Sequence, residues 1–225
     1  MVFTKQGNSG KRRRPDTREQ VSRKCERGEV GKIQQRNIKS IVDAFRKQRR
    51  GSKAGLGADG LAISFLENIE LSENIIAVFR EVKAIPQNAK ILDFPEKNTI
   101  SSNVTPWIAT FQGDTDIHPD IVFNASVGKG AFTMVYVVEC KEPIKYLIYG
   151  RKKNTLLDSD EAHLEELNAG SWMTFPSDYF HHGSGLEKRV IISLTFLPHK
   201  ETFGEEIHKK IDKRVRSGSY SVKKI

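Results

Sequence analysis

Between residues 33 and 84 the apolar side chains recur with a helical period; beyond Pro86 they do not. Ile38, Ile41, Val42 and Phe45 fall at i, i+3, i+4 and i+7, with Lys and Arg on the opposite face, which predicts an amphipathic helix. Four glycines between Gly51 and Gly60 break it, and residues 61–69 read as a second helical stretch. Ser72 reads as the N-cap of a third helix carrying Ile75, Val78, Phe79 and Val82 at the same spacing, with Pro86 just past its end. Thereafter the chain breaks into short runs of β-type residues at 89–94, 104–111, 132–140, 146–149, 170–175 and 189–197. Gly, Pro, Asn and Asp clusters separate these runs, the mark of a sandwich or barrel rather than of βαβ units. Residues 156–167 read as a short helix or loop insertion. The expected class is α+β: a cupin-type jelly roll, or double-stranded β-helix, preceded by supporting helices.

Composition adds an appendage. Residues 1–53 hold 17 Lys and Arg against 5 Asp and Glu, whereas the other 172 residues hold 20 against 23. The net charge of +9 therefore sits on the N-terminal quarter. Residues 1–31 are polar and nearly devoid of large apolar side chains, so a basic arm that is disordered or marginally helical is expected. Within it Lys11-Arg12-Arg13-Arg14-Pro15 suits nuclear import or phosphate binding, and equally a solubilising tail. The expected division is an arm at 1–31, a helical support at 32–86, the β domain at 87–200 and a basic tail at 201–225. There is no run of 18 apolar residues and no secretory h-region, so no membrane span is expected. Cys25 and Cys140, 115 residues apart, read as free thiols. The expected location is intracellular, in nucleus or cytoplasm.

Two segments carry chemistry. As a strand, 189–197 places Arg189, Ile191, Ser193 and Thr195 on one face and Val190, Ile192, Leu194 and Phe196 on the other. An Arg and two hydroxyls turned into a barrel need a partner, and a bound carboxylate matches the Arg fork; turned outward, they need only water. The second segment is Ile117-His118-Pro119-Asp120. Residues i and i+2 of a strand share a face, so His118 and Asp120 can reach one metal, and a distant His would complete a 2-His-1-carboxylate site with open positions. His163/Glu165 and His199/Glu201 have the same spacing. Order separates them: only His118 precedes a hydrophobic strand and is followed, 63 residues on, by His181 and, 8 further, by Arg189.

This order resembles the Fe(II)/2-oxoglutarate-dependent dioxygenase superfamily over residues 100–198, most of all the prolyl-hydroxylase-type cores. Their distal segment reads FPS, three residues, then His, matched here by FPSDYFH ending at His181 rather than the adjacent His182. The family's next landmark is an Arg or Lys about nine residues on, with a hydroxyl residue four beyond; Arg189, one residue early, and Ser193 occupy those places. Ile191 stands where a small or polar residue is common. The flanking arginines of the AlkB-like demethylases would fall on Ile191 and Leu197, so that pattern is not met. The resemblance implies Fe(II) held by His118, Asp120 and His181. It implies 2-oxoglutarate held through its distal carboxylate by Arg189 and Ser193, with Tyr136 or Tyr149 assisting, and dioxygen as oxidant. Hydroxylation or demethylation of a substrate is the implied activity. The arm adds an expected polyanionic partner, nucleic acid or chromatin. The competing reading is a jelly-roll coat or nucleic-acid-binding protein whose basic arm neutralises packaged nucleic acid and which has no catalysis.

Overall fold

The computed structural model describes residues 17–48, 62–65, 69–93, 107–115, 117, 131–150, 162–197 and 221–223. His118, Asp120 and the Lys11–Pro15 cluster lie outside them. In chain order the elements are α1 (Arg18–Ser22), β1 (Glu26–Glu29), α2 (Lys32–Gln48), β2 (Ala62–Phe65), α3 (Ile69–Glu81), β3 (Lys90–Asp93), β4 (Trp107–Phe111), β5 (Phe132–Glu139) and β6 (Ile144–Gly150). They continue with β7 (His163–Leu167), β8 (Ser171–Pro176), β9 (Phe180–Ser184), β10 (Arg189–Leu197) and β11 (Ser221–Lys223).

The described strands make two antiparallel sheets. The larger runs β1-β8-β5-β10-β3-β11, with β4 also on β10 and β2 on β4; the smaller runs β7-β6-β9. β10 is the hub. One edge pairs with β5, and the other pairs with β4 along residues 189–193 and with β3 at 196–197. Its alternation divides the interior into two layers, as the period-two reading anticipates. Val190, Ile192, Leu194 and Phe196 join Met134, Tyr136, Val138 and Trp172 in an outer layer covered by α2 and α3. Ile38, Val42, Phe45, Ile75 and Phe79, from the predicted helical stripes, supply the helix side of that layer. Ile191 instead faces inward with Ala109, Phe111, Val135, Val137, Met173 and Phe175. There it meets Ile144, Tyr146, Ile148 and Leu167 of the smaller sheet.

Several boundaries differ from the sequence reading. Residues 62–65 form β2, not helix, because their backbone pairs with β4. α3 begins at Ile69, so Ser72 lies within its first turn, buried, and is not the cap. Residues 163–167 are the strand β7, not a helical insertion. Residues 17–31 are folded, not part of a disordered arm. Thr17 and Gln20 form a capping box that starts α1, Val21 is fully buried against the inner core, and β1 pairs with β8 from Glu26/Thr174 to Glu29/Ser171. β11, in the segment expected as a tail, pairs with β3. The large sheet therefore draws on all four expected segments. Cys25 and Cys140 are free thiols, as anticipated. No helix among the described residues is long and apolar enough to cross a membrane.

Phe79 is fully buried and meets the Tyr136 ring at 5.3 Å between centroids, the contact that seats α3 on the sheet. Phe79→Ala is expected to cost about 3–5 kcal/mol in urea unfolding. The Cys25 thiol, beside α1, is pushed from its ordinary 9.0 up to about 12, first by burial and then by the charge of Glu165. It stays protonated in the fold, while the unfolded chain releases its proton near the ordinary value. Its contribution is thus complete below that value and lost as pH rises toward the folded one. Unfolding measured across this range is expected to show a shallower decline for Cys25→Ala than for the wild type.

Candidate active site

Inner-face parity selects the side chains that meet between the sheets. On β9, His181 pairs across to Ile148 and is buried at 4% exposure, with its ring 4.6 Å from Phe175 and 6.4 Å from Tyr146. His182 points the other way, onto the outer face of the small sheet, where its Nδ1 lies 3.4 Å from the Tyr149 hydroxyl. The two adjacent histidines are therefore on opposite sides, with His181 inward. The Nδ1 of His181 donates to the carbonyl of Tyr179 at 3.0 Å. A carbonyl can only accept, so this bond puts the proton of the neutral ring on Nδ1 and its lone pair on Nε2.

Arg189 shares the compartment and is 1% exposed. Its guanidinium lies over the Phe111 ring, 4.0 Å from the centroid. Nη1 donates to the carbonyl of Gly185, and Nη2 donates to those of Gly113 and, at 3.1 Å, Gly183. No described carboxylate forms an ion pair with it. Burial lowers its pKa from the ordinary value, opposed by Tyr146, Asp114 and Cys140. It nevertheless keeps its charge, as arginine does in proteins. Its Nε and the Oγ of Ser193, which is also 1% exposed, are buried without a hydrogen-bond partner among the described residues. Buried donors left open in this way disfavour the fold unless a ligand meets them.

The segment that leads toward His118 lies along β9. Gly113 N donates to Gly185 O at 3.1 Å and Thr115 N to Gly183 O at 3.0 Å. In return Gly183 N donates to Thr115 Oγ1 at 2.9 Å and Gly185 N to Asp114 Oδ1 at 3.3 Å. Gly113, at φ +83°, turns the chain from β4 into this ladder with a backbone conformation that a side chain would oppose.

Of the residues singled out from sequence, His181, Arg189 and Ser193 lie on the inner face. Tyr136 does not join them. It stands on the outer face of β5 against Phe79, because parity carries Val135 and Val137 inward and position 136 outward. Tyr149 is likewise on the outer face of β6. On β6 the tyrosine that faces inward is Tyr146, opposite Gly183. The alternation Ile144-Tyr146-Ile148 was the signal for it, since the inward apolar set of β6 includes position 146 and excludes 149. His163 is bound 2.8 Å from Glu165, which also pairs with Arg27 of β1 at 2.8 Å, so that HxE pair ties the edges of the two sheets together. A cavity of about 570 Å³ opens elsewhere, on the outer face. Arg80, Lys83, Glu26, Glu81, Phe132 and Phe196 are among its lining, and none of the predicted site residues is.

Tyr146 occupies the volume that a side chain at position 183 would fill: a Cβ there would sit 3.3 Å from its Cζ and 3.6 Å from its hydroxyl oxygen. Gly183→Ala is expected to displace the ring and destabilise by about 1–3 kcal/mol. Urea unfolding gives the cost, and tyrosine fluorescence reports the ring's new surroundings.

Comparison with known proteins gives the fold its relatives. No family model and no curated protein sequence matches the chain. Solved structures do, at low identity. A Pseudomonas putida prolyl-4-hydroxylase has TM-score 0.51 and 8% identity over 78% of this chain and 93% of that one. A Trichoplax adhaerens prolyl hydroxylase, solved with a hypoxia-inducible-factor oxygen-degradation-domain peptide, has TM-score 0.50 and 12% identity, covering 83% and 89%. The epimerase SnoN, in complex with Fe3+, α-ketoglutarate and nogalamycin RO, has TM-score 0.50 and 10% identity, covering 79% and 81%. The chain has the jelly-roll fold that these enzymes share.

Proposed function

We propose that the protein is an Fe(II)- and 2-oxoglutarate-dependent dioxygenase that hydroxylates or demethylates its substrate. One arrangement carries the reading: an inward histidine whose Nδ1 is tied to a backbone carbonyl shares a buried compartment with an arginine that no described carboxylate neutralises. The first fixes the tautomer in which an imidazole can bind a metal through Nε2, and the second is a site for an anion. Ser193, with its buried hydroxyl, adds a donor to the same face. A coat protein has no use for either feature, which is the ground for preferring an enzyme.

In this reading His118, Asp120 and His181 hold the metal. The ladder of Gly113 on Gly185 and Thr115 on Gly183 supports that set, because it holds the residues just before His118 against the strand that carries His181. When bound, the metal and 2-oxoglutarate would activate dioxygen, with 2-oxoglutarate oxidised to succinate and carbon dioxide. Arg189 and Ser193 take the distal carboxylate of the co-substrate. Tyr146, in place of Tyr136, walls the same pocket, and Phe175 against His181 keeps water from the ring. The basic residues before Thr17 suit a polyanionic partner, nucleic acid or chromatin, close to which the substrate would be met.

Anaerobic titration of the protein with Fe(II) and 2-oxoglutarate tests the reading. A weak visible charge-transfer band is expected in the wild type and in His182→Ala, and is expected to be lost in His118→Ala and His181→Ala. Folded protein that takes up no stoichiometric Fe(II) would sink the proposal, and assembly into particles on nucleic acid would favour the coat-protein alternative.

A further inference from the structure

A buried guanidinium that spends most of its donors on main-chain carbonyls is doing more than waiting for a carboxylate. Arginine carries five N–H groups in a rigid planar fork. In Arg189 three of them are taken by the carbonyls of Gly113, Gly183 and Gly185. Those carbonyls belong to two different segments. Gly113 stands five residues before His118, and Gly183 stands two after His181. The same two segments are zipped by Thr115, whose Oγ1 accepts from Gly183 N, and by Asp114, whose carboxylate accepts from Gly185 N. The guanidinium sits at the seam, 1% exposed, its face against Phe111 of β4.

We propose that Arg189 is a positioning residue for the metal centre: its fork is the strut that fixes the segment leading to His118 against the strand carrying His181. The inference rests on the reading above, in which those histidines are ligands. It separates two tasks that one cation would otherwise combine. Pairing with the distal carboxylate of a co-substrate needs a positive charge at this position, which a lysine supplies. Bridging these carbonyls uses donors on two nitrogens of a rigid plane, Nη1 and Nη2, whereas the donors of an ammonium all radiate from one atom on a flexible stem. The metal site is thus organised before 2-oxoglutarate enters, and the co-substrate meets a guanidinium already held in place, with Nε among its open donors.

The two tasks part in a titration with Co(II) alone, without 2-oxoglutarate, followed by the visible d–d absorption of the bound ion. Arg189→Lys keeps the charge and loses the fork. Thr115→Val loosens the same seam without touching Arg189. Both variants, shown folded by circular dichroism and thermal melting, are expected to bind Co(II) about 10–100-fold more weakly than the wild type, with an altered band shape. A loss of fold stability alone would leave that spectrum unchanged at temperatures where the variants are native. Wild-type affinity and an unchanged spectrum in both variants would overturn the strut while leaving the active-site reading standing. Failure of the wild-type protein to bind one Co(II) would overturn both.

Discussion

A charge removed from water has to be solvated by something, and in this fold the solvent for Arg189 is the backbone. Its side chain enters the space between the sheets from the start of β10 and is met by carbonyls of the ladder between residues 113–115 and 183–185 rather than by an acid. Of the three glycines that supply those carbonyls, Gly185 leaves room for the guanidinium itself, since a Cβ there would sit 2.9 Å from Nη1, Gly183 leaves room for Tyr146, and Gly113 takes a φ of +83°. The arginine, the glycines and the route of residues 112–115 along β9 therefore form one unit. A buried ion pair would have neutralised the cation and left it little attraction for a ligand. Carbonyl dipoles hold it while leaving its full charge in the compartment.

Everything inward of that unit follows from parity. Once position 189 faces the interior, so do 191, 193 and 195, and β5 places 133, 135 and 137 opposite them. The register of β6 against β9 does the same for Tyr146 and Ile148 beneath Gly183 and His181. The outer face of the large sheet is wholly apolar along β10 for the complementary reason, since α2 and α3 exclude water from it.

This explains what was readable in the sequence. The helical stripes of α2 and α3, and β3, β4, β5, β6, β8 and β10, announced themselves through apolar periodicity, because each buries one or both faces. The faces of β10 were read correctly residue by residue. β1 was not legible: Glu26-Arg27-Gly28-Glu29 is a polar edge strand held by main-chain bonds to β8, and periodicity has nothing to register there. β7 misled for a different reason. Leu164 and Leu167 have helical spacing, while two of its three inward positions are the polar His163 and Glu165, tolerated because they bind each other and Arg27. The capping box at Thr17 was present in the text as Thr-Arg-Glu-Gln but was masked by the surrounding charge. Tyr146 was missed because choosing among three tyrosines needs the sheet register, which no single strand contains. His181 was preferred to His182 through a family spacing; in the fold the first faces inward and the second outward.

The pairing of β3 with β10 and β11, and of β1 with β8, sets the order in which this protein can be made. The first strands to leave the ribosome have their partners near the end of the chain, with Glu26 waiting for Thr174 and Asp93 for Ser221. Among the described elements, α2 with α3 and β6 with β7 do join neighbours along the sequence. The nascent chain must therefore carry an open half-sheet, its outer layer sheltered by two helices, until β10 arrives to sit between β4 and β5. A topology of such long-range contacts predicts slow closure and a long period of exposed strand edge, during which synthesis rate and chaperones have most influence on the outcome.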